Sequence, residues 1–144
     1  MAQSYEEMKQ VLFMFKNIDR QFTCNFEKRT GISLTRYEML FTLAKKGQLS
    51  QIEFQQSLKI DQAAITRHLK ILEKKALVMR NRNKQNNREV IVEITEAGKK
   101  ILERCDLDKK QFFDELFNGM TEQEIQQLNL LVGKLMSNTK KQCT

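Results

Sequence analysis

A run of cationic and amide side chains occupies residues 80–88, which read RNRNKQNNR. The run holds four cations, four asparagines and one glutamine, but no acid. Residues 62–92 together carry a net charge of +6, whereas the whole chain carries +7. Guanidinium and ammonium groups bind anions, and a charge confined to one segment indicates an anionic partner at that place. A solvated cationic face is the alternative interpretation.

Residues suited to catalysis or metal binding are few. His68 is the only histidine, and Cys24, Cys105 and Cys143 are widely spaced with no CxxC pair. Metal sites and catalytic constellations need clustered donors, so this inventory predicts no catalytic residue, no metal site and no cofactor. The cysteines predict no disulfide framework. We expect His68 to pack at the edge of its helix or to touch a phosphate.

Length and composition predict a single globular domain. The chain has 144 residues, of which 40% are hydrophobic and 30% are charged. This balance is typical of a folded protein, and a chain of this size can bury a substantial core. No apolar run approaches the ~18 residues of a membrane span, and the N-terminus MAQSYEEMKQ lacks the shape of a signal peptide. We therefore expect a cytoplasmic protein with no membrane partner.

Hydrophobic spacing and capping residues predict three helices in the first part of the chain. Apolar residues recur every three or four positions over residues 8–26, which predicts a long amphipathic helix that ends near Gly31. Ser33 is the predicted N-cap of a second helix, which ends at Gly47. Ser50 opens a third, shorter helix.

A fourth helix and a hairpin follow. Asp61 is the predicted N-cap of the fourth helix. Its buried stripe is formed by Ile65, Leu69 and Leu72. Only residues 59–60 join the third and fourth helices, which predicts a helix-turn-helix. The β-prone segments 77–80 and 89–94 predict a hairpin directly after it, with the cationic run at its tip. The unit is therefore a winged helix-turn-helix.

Two more helices complete the predicted fold. The fifth begins at Thr95 or Glu96, and Thr121 with Glu124 forms a capping box for the last. The fold class is thus mainly α with a small β-hairpin wing.

Short motifs occur in a fixed order over residues 49–102. They read L-S-Q-x-E, I-T-R-H-L-x-x-L-E-K-K, V-x-R, a terminal wing arginine and I-T-E-A-G. In this order they resemble the MarR family of bacterial transcription regulators, and the flanking helices extend the resemblance over nearly the whole chain. It implies a single domain over residues 1–144. Residues 1–31 and 96–144 would be its dimerisation helices, and residues 33–95 its winged helix-turn-helix lobe.

The resemblance implies a sequence-specific regulator of transcription, and the poor inventory of catalytic residues predicts that it is not an enzyme. Such a protein is expected to be a repressor that binds a pseudo-palindromic operator in double-stranded DNA as a homodimer and is released by a small-molecule effector. The charge pattern leaves an alternative open, which is a protein that binds RNA or DNA without sequence preference in an architectural role.

Three positions depart from the family pattern. Asn86 replaces a usual acid, which predicts a more mobile and more cationic wing. Ala76 replaces the usual glycine after the fourth helix. Either the turn there has no residue in the left-handed conformation, or Ala76 adopts that conformation with backbone strain. Gln55 replaces a small residue and is expected to loosen the packing of the third helix.

The fourth helix carries polar and cationic residues opposite its buried stripe. These residues are Ala63, Thr66, Arg67, Lys70 and Lys74. A helix of this kind fits the major groove, where Gln62 can pair with adenine and Arg67 with guanine. Lys70 and Lys74 are expected to contact phosphates. The alternative for Arg67 is that it braces the wing or an acid on a neighbouring helix.

The tip of the hairpin predicts a second contact with DNA. Arg82, Lys84 and Arg88 can follow the backbone and place an arginine in the minor groove. Asn83, Asn86 and Asn87 can turn the chain and hydrogen-bond phosphates. The full predicted set is Gln62, Ala63, Thr66, Arg67, Lys70, Lys74, Arg80, Arg82, Lys84, Asn86, Asn87 and Arg88.

Two kinds of control are compatible with the resemblance. A ligand can occupy a cleft between the dimerisation helices and the DNA-binding lobe. Its predicted lining is Phe15, Phe22, Tyr37 and Met39, which are otherwise ordinary core residues. A thiol-based redox sensor is the alternative, with Cys24 as the candidate because Arg20 and Lys28 lie four residues away on either side. A passive thiol is the simpler interpretation, and Cys24 does not match the N-terminal cysteine of the family's hydroperoxide sensors.

Overall fold

The computed structural model describes residues 4–86 and 88–142, so Asn87 of the predicted interface and Cys143 lie outside the described residues. The described chain is mostly helical with one small sheet, as predicted. Its elements are α1 (Tyr5–Thr30), α2 (Leu34–Lys46), β1 (Gln48–Ser50), α3 (Gln51–Leu58), α4 (Gln62–Lys74), β2 (Val78–Arg82), β3 (Val90–Ile94), α5 (Glu96–Leu116) and α6 (Glu122–Gln142).

The predicted caps fix the starts of α2, α3 and α4. The Ser33 hydroxyl accepts a hydrogen bond from the backbone N–H three residues later at 3.3 Å. Ser50 does the same at 3.1 Å, and the Asp61 carboxylate at 3.0 Å. Gly31 and Gly47 end α1 and α2 with φ values of 78° and 86°. Each of these signals is local in sequence, and each prediction is confirmed.

The sheet differs from the predicted hairpin in two respects. It has three antiparallel strands in the order β1-β3-β2. Sequence reasoning missed β1, whose Leu49 pairs with Val92, because a three-residue strand is too short to show a periodic pattern. The strand β2 extends through Arg82, which pairs with Val90. Arg80 lies in the strand as predicted, whereas Arg82, which was assigned to the tip, also belongs to the strand.

The core joins α2, α3 and α4 to the sheet. Its fully buried members are Met39, Leu40, Leu43, Phe54, Ile65, Leu69, Leu72 and Val92. The predicted stripe of α4 is thus confirmed. Leu102 and Cys105 of α5 belong to the same cluster. The core lies in the first of two compact units, which extends to Leu107.

The second compact unit begins at Asp108 and contains the end of α5 and all of α6. The predicted capping box opens α6, because the Thr121 N–H donates to the Glu124 carboxylate at 3.0 Å and the Glu124 N–H donates to the Thr121 hydroxyl at 3.1 Å. None of the helices described here is long and apolar enough to span a membrane.

The glycine of the I-T-E-A-G motif has a steric role. A Cβ at Gly98 would collide with the Leu77 carbonyl oxygen and would lie 2.7 Å from the Ile94 side chain. The preceding Thr95 hydroxyl accepts the Gly98 N–H at 3.1 Å and donates to the Ala76 carbonyl at 2.7 Å. The close approach of α5 to the turn after α4 therefore requires glycine here.

Ala76 adopts the strained conformation that its departure from the family pattern allowed. Its φ is 60°, and its N–H donates to the Glu73 carbonyl at 2.9 Å. A left-handed conformation costs an alanine about 1–2 kcal/mol relative to the right-handed one.

We expect Ala76→Gly to raise the free energy of unfolding by about 1 kcal/mol, measured by urea denaturation. The matched control is Ala44→Gly inside α2, which should lower that free energy by about 1 kcal/mol. Equal losses in both variants would contradict the assignment of strain.

Candidate nucleic-acid interface

One face of α4 is exposed and cationic. Ile65, Leu69 and Leu72 are fully buried. The side chains of Ala63, Arg67, Lys70 and Lys74 are exposed, and helical spacing places them away from that stripe. Gln62, the first residue of α4, is also exposed, but it lies on the same side of the helix as Leu69. The structure therefore brings the predicted outward residues of α4 onto one accessible surface. Their contact with DNA stays a prediction.

Thr66 differs from the other outward residues of α4. Its side chain is half-buried, and its hydroxyl donates to the Gln62 carbonyl at 2.9 Å. The proton of this hydroxyl is thus used within the helix. What remains for an external partner is the methyl group and the oxygen lone pairs.

Arg80 braces the wing against the helix-turn-helix. Its Nε and Nη2 donate to the two Glu73 carboxylate oxygens at 3.1 and 2.9 Å, and its Nη1 donates to the Gln51 amide oxygen at 3.5 Å. Sequence reasoning placed Arg80 among the DNA-binding residues and considered Arg67 for such a brace. The observed brace is Arg80, whose side chain links β2 to α4 and to the start of α3.

The ion pair between Arg80 and Glu73 gives a pH-dependent prediction. The hydrogen bond from Arg80 lowers the pKa of the Glu73 carboxyl. The pKa of Glu73 is lower in the folded protein than in the unfolded chain, where it is about 4.3. The pair therefore stabilises the wing fully above this unfolded-state pKa, and the stabilisation is lost as the pH falls through the folded-state pKa. Glu73→Gln should speed amide hydrogen exchange in β2 and β3 at neutral pH by about twofold to fivefold, since a half-exposed pair stabilises little.

The control for this experiment is Glu53→Gln. Glu53 lies in the first turn of α3, so its loss should leave exchange in the wing unchanged. In acid, where Glu73 is protonated, the wild-type protein and the Glu73→Gln variant should exchange at similar rates when both are measured at the same pH. Identical rates in wild type and Glu73→Gln at neutral pH would show that the pair does not hold the wing.

Asparagine side chains order the tip of the wing, which spans residues 83–89. The Asn83 amide donates to the Glu89 carboxylate at 2.9 Å, and its carbonyl oxygen accepts the Gln85 N–H at 3.0 Å. The Asn86 carbonyl oxygen accepts the Arg88 N–H at 3.2 Å. Side-chain bonds of this kind replace a backbone turn. Asparagine thus supplies the turn geometry without adding negative charge.

The cations of the wing are accessible from solvent. Arg82, Lys84 and Arg88 are all exposed, while the Glu89 carboxylate is hydrogen-bonded by Asn83. The described residues of the tip therefore present an excess of positive charge on a hydrogen-bonded turn. Such a surface can bind phosphates.

His68 packs at the edge of α4, as predicted. It is half-buried, and its Nδ1 accepts a hydrogen bond from Arg36 Nε at 3.4 Å. Burial lowers the pKa of His68, and the charges of Arg36 and Arg67 lower it further. Within the part of the chain that the structure describes, no three His, Cys, Asp or Glu residues are grouped to hold a metal ion.

Aromatic rings connect α1 to α2 near the predicted ligand cleft. The ring centroids of Phe22 and Phe26 are 6.5 Å apart, those of Phe26 and Tyr37 are 5.2 Å apart, and those of Tyr37 and Phe41 are 6.3 Å apart. The Tyr37 hydroxyl donates to the Asp106 carboxylate at 3.3 Å. Burial and the Asp106 charge raise the pKa of Tyr37 to about 12, so its proton is retained at neutral pH.

The remaining regulatory candidates occupy different environments. Met39 is fully buried in the core, which agrees with its interpretation as an ordinary core residue. Phe15 is half-buried. Cys24 is exposed and Cys105 is buried, so Cys24 is the more accessible of the two.

Comparison with known proteins identifies the family. The sequence model of the MarR family matches residues 32–90. The HTH-type transcriptional regulator YdgJ of Bacillus subtilis is 31% identical over 138 residues, which are 96% of this chain and 84% of the relative.

Two solved structures show the same fold. A variant of MarR from E. coli complexed with operator DNA has a TM-score of 0.83 at 22% identity, covering 93% of this chain and 99% of that one. Bordetella bronchiseptica BpsR, whose DNA binding is regulated by 6-hydroxynicotinic acid, has a TM-score of 0.77 at 19% identity, covering 88% of this chain and 98% of that one. The family match, the relative and the winged helix-turn-helix agree, and the chain belongs to the MarR family of DNA-binding transcriptional regulators.

Proposed function

We propose that this chain is a repressor that binds a pseudo-palindromic operator as a homodimer and releases it when a small molecule binds. The observation that carries the proposal is the exposed cationic face of α4 beside a cationic wing. A helix with a buried stripe and a cationic front can enter the major groove while the wing follows the backbone.

In this proposal the two ends of α4 act differently. Gln62 and Arg67 lie in its N-terminal half and read base edges, because an amide pairs with adenine and a guanidinium with guanine. Lys70 and Lys74 lie further along and bind phosphates, which sets the register of the helix on the duplex. Arg82, Lys84 and Arg88 extend this backbone contact to the wing.

Exposed apolar side chains support the homodimer. On α1, Met8, Val11 and Ile18 are 45%, 39% and 52% exposed, and they continue the predicted amphipathic stripe. On α6, the exposed apolar residues include Ile125, Leu128, Leu131, Leu135 and Met136. Apolar surface of this extent indicates a protein partner, and a second copy of the chain is the partner that a two-fold operator requires.

Sedimentation tests the homodimer. We expect a species of twice the 17.0 kDa mass of one chain at micromolar concentration. Leu128→Asp places a charge within the apolar stripe of α6 and should shift the protein toward monomer. Gln127→Asp adds the same charge beside the stripe, where the side chain is exposed, and should leave the dimer intact. A wild-type protein that sediments only as a monomer would contradict the proposal.

Release by an effector is supported by the behaviour of BpsR and by the aromatic side chains between α1 and α2. A reporter gene placed behind the operator distinguishes a repressor from an activator. Repression predicts lower expression when the protein is present and recovery when the effector is added. Higher expression in the presence of the protein would identify an activator instead.

A further inference from the structure

Arg36 of α2 contacts α4 on the edge away from the wing. Its Nε donates to His68 Nδ1 at 3.4 Å, and both side chains are half-buried. Because successive helical residues are about 100° apart, His68 and Glu73 lie about 140° apart around α4, with the buried stripe between them. Glu73 holds Arg80 of the wing. Each edge of α4 therefore has one arginine beside it.

The two arginines differ in the charge that balances them. Arg80 forms a two-point ion pair with Glu73. Arg36 has no carboxylate within 4.0 Å among the residues that the structure describes. The charges that act on His68 are those of Arg36 and Arg67, both cations. The charge of Arg36 therefore has no acid beside it, and a phosphate placed next to its guanidinium would balance that charge.

We propose, as an extension that rests on the proposed function, that Arg36 is a further phosphate-binding residue and that His68 is the positioning residue that orients its guanidinium. A helix in the major groove is flanked by two phosphate backbones. The wing accounts for contacts on one flank, and Arg36 lies at the other edge of the same helix. The sequence motifs gave no signal for Arg36, because its role depends on a contact between α2 and α4.

The hydrogen bond with His68 determines which guanidinium nitrogens stay available. Neutral imidazole can accept a hydrogen bond at Nδ1, whereas the protonated ring can only donate. The lowered pKa of His68 keeps it neutral at pH 7. With Nε held by His68, the two terminal nitrogens of Arg36 can bind phosphate oxygens as a fork.

The salt dependence of DNA binding by the full chain tests this role of Arg36. The probe is a random-sequence duplex, titrated at several salt concentrations with wild type, Arg36→Gln and the control Lys46→Gln. Lys46 lies at the other end of α2, so its loss removes the same charge from the same helix. Each lost phosphate contact should flatten the slope of log K against log salt by about 0.9 per half-site. Lys46→Gln should retain the wild-type slope.

Variants of His68 test its positioning role. His68→Asn keeps an acceptor close to the position of Nδ1 and should retain most of the wild-type slope, whereas His68→Leu removes the acceptor and should lose part of it. In the Arg36→Gln background, His68→Leu should have no further effect, because the two residues act as one unit. Additive losses would overturn the positioning role.

The same assay separates this inference from the proposed function. Lys70→Gln and Arg88→Gln remove contacts on which the proposed function depends. If these two variants flatten the slope and Arg36→Gln does not, the inference about Arg36 is wrong and the proposed function stands. If wild type does not bind duplex DNA at all, the proposed function fails as well.

Discussion

Arg67→Ala is expected to weaken binding to the preferred operator by about 1–3 kcal/mol per half-site and to leave binding to random duplex almost unchanged. Arg67 is exposed on the outward face of α4, in the half of the helix that reaches base edges. A guanidinium that pairs with two acceptors of guanine contributes only where guanine is present, so its loss should affect specificity. Fluorescence anisotropy with both duplexes measures the two affinities.

Two further variants make this test sharper. Arg67→Lys keeps the charge but not the planar fork, so it should resemble Arg67→Ala on the operator. Lys74→Ala should weaken binding to both duplexes, because a phosphate contact carries no sequence information. If Arg67→Ala weakens both duplexes equally, Arg67 binds the backbone and does not read a base.

Arg88→Ala is expected to weaken specific and random binding alike and to flatten the salt slope by about 0.9 per half-site. Arg88 is exposed at the end of the wing tip, and its backbone N–H, not its charge, is used by Asn86 to form the turn. Removing the guanidinium should therefore leave the turn in place. Lys16→Ala on α1, which is also exposed, is the control and should not alter the slope.

The variant Asn86→Asp tests whether the charge of the wing or its hydrogen-bonded turn has the larger effect on DNA affinity. An aspartate can still accept the Arg88 N–H that Asn86 accepts, so the turn should persist while a negative charge is added. We expect the affinity for random duplex to fall, since the tip is exposed and the field of DNA is strong. Tighter binding of random duplex would show that the order of the wing matters more than its charge.

The sequence predicted the elements whose determinants are local. Ser33, Ser50 and Asp61 cap helices through bonds to backbone groups three residues away, and such bonds depend on adjacent sequence only. The amphipathic stripe of α4 follows from helical periodicity in the same way. These features locate the outward face of α4, which carries five of the twelve residues predicted to bind DNA.

The features that the sequence did not predict depend on contacts between distant segments. Leu49 of β1 forms a strand only because Val92 is its partner. Arg80 reaches Glu73 only because the left-handed turn at Ala76 directs β2 back along α4. Periodicity gives the face on which a side chain lies, but it does not identify the group that the side chain binds.

Selection of duplexes from a random-sequence library by the full chain tests the central claim most directly. Competition of the selected duplex against random duplex and single strand then gives the specificity ratio. We predict an inverted repeat with half-sites about one helical turn apart, bound at least about 10³-fold more tightly than random duplex. Equal binding of selected duplex, random duplex and single strand would contradict the account and identify a nucleic-acid-binding protein without sequence preference.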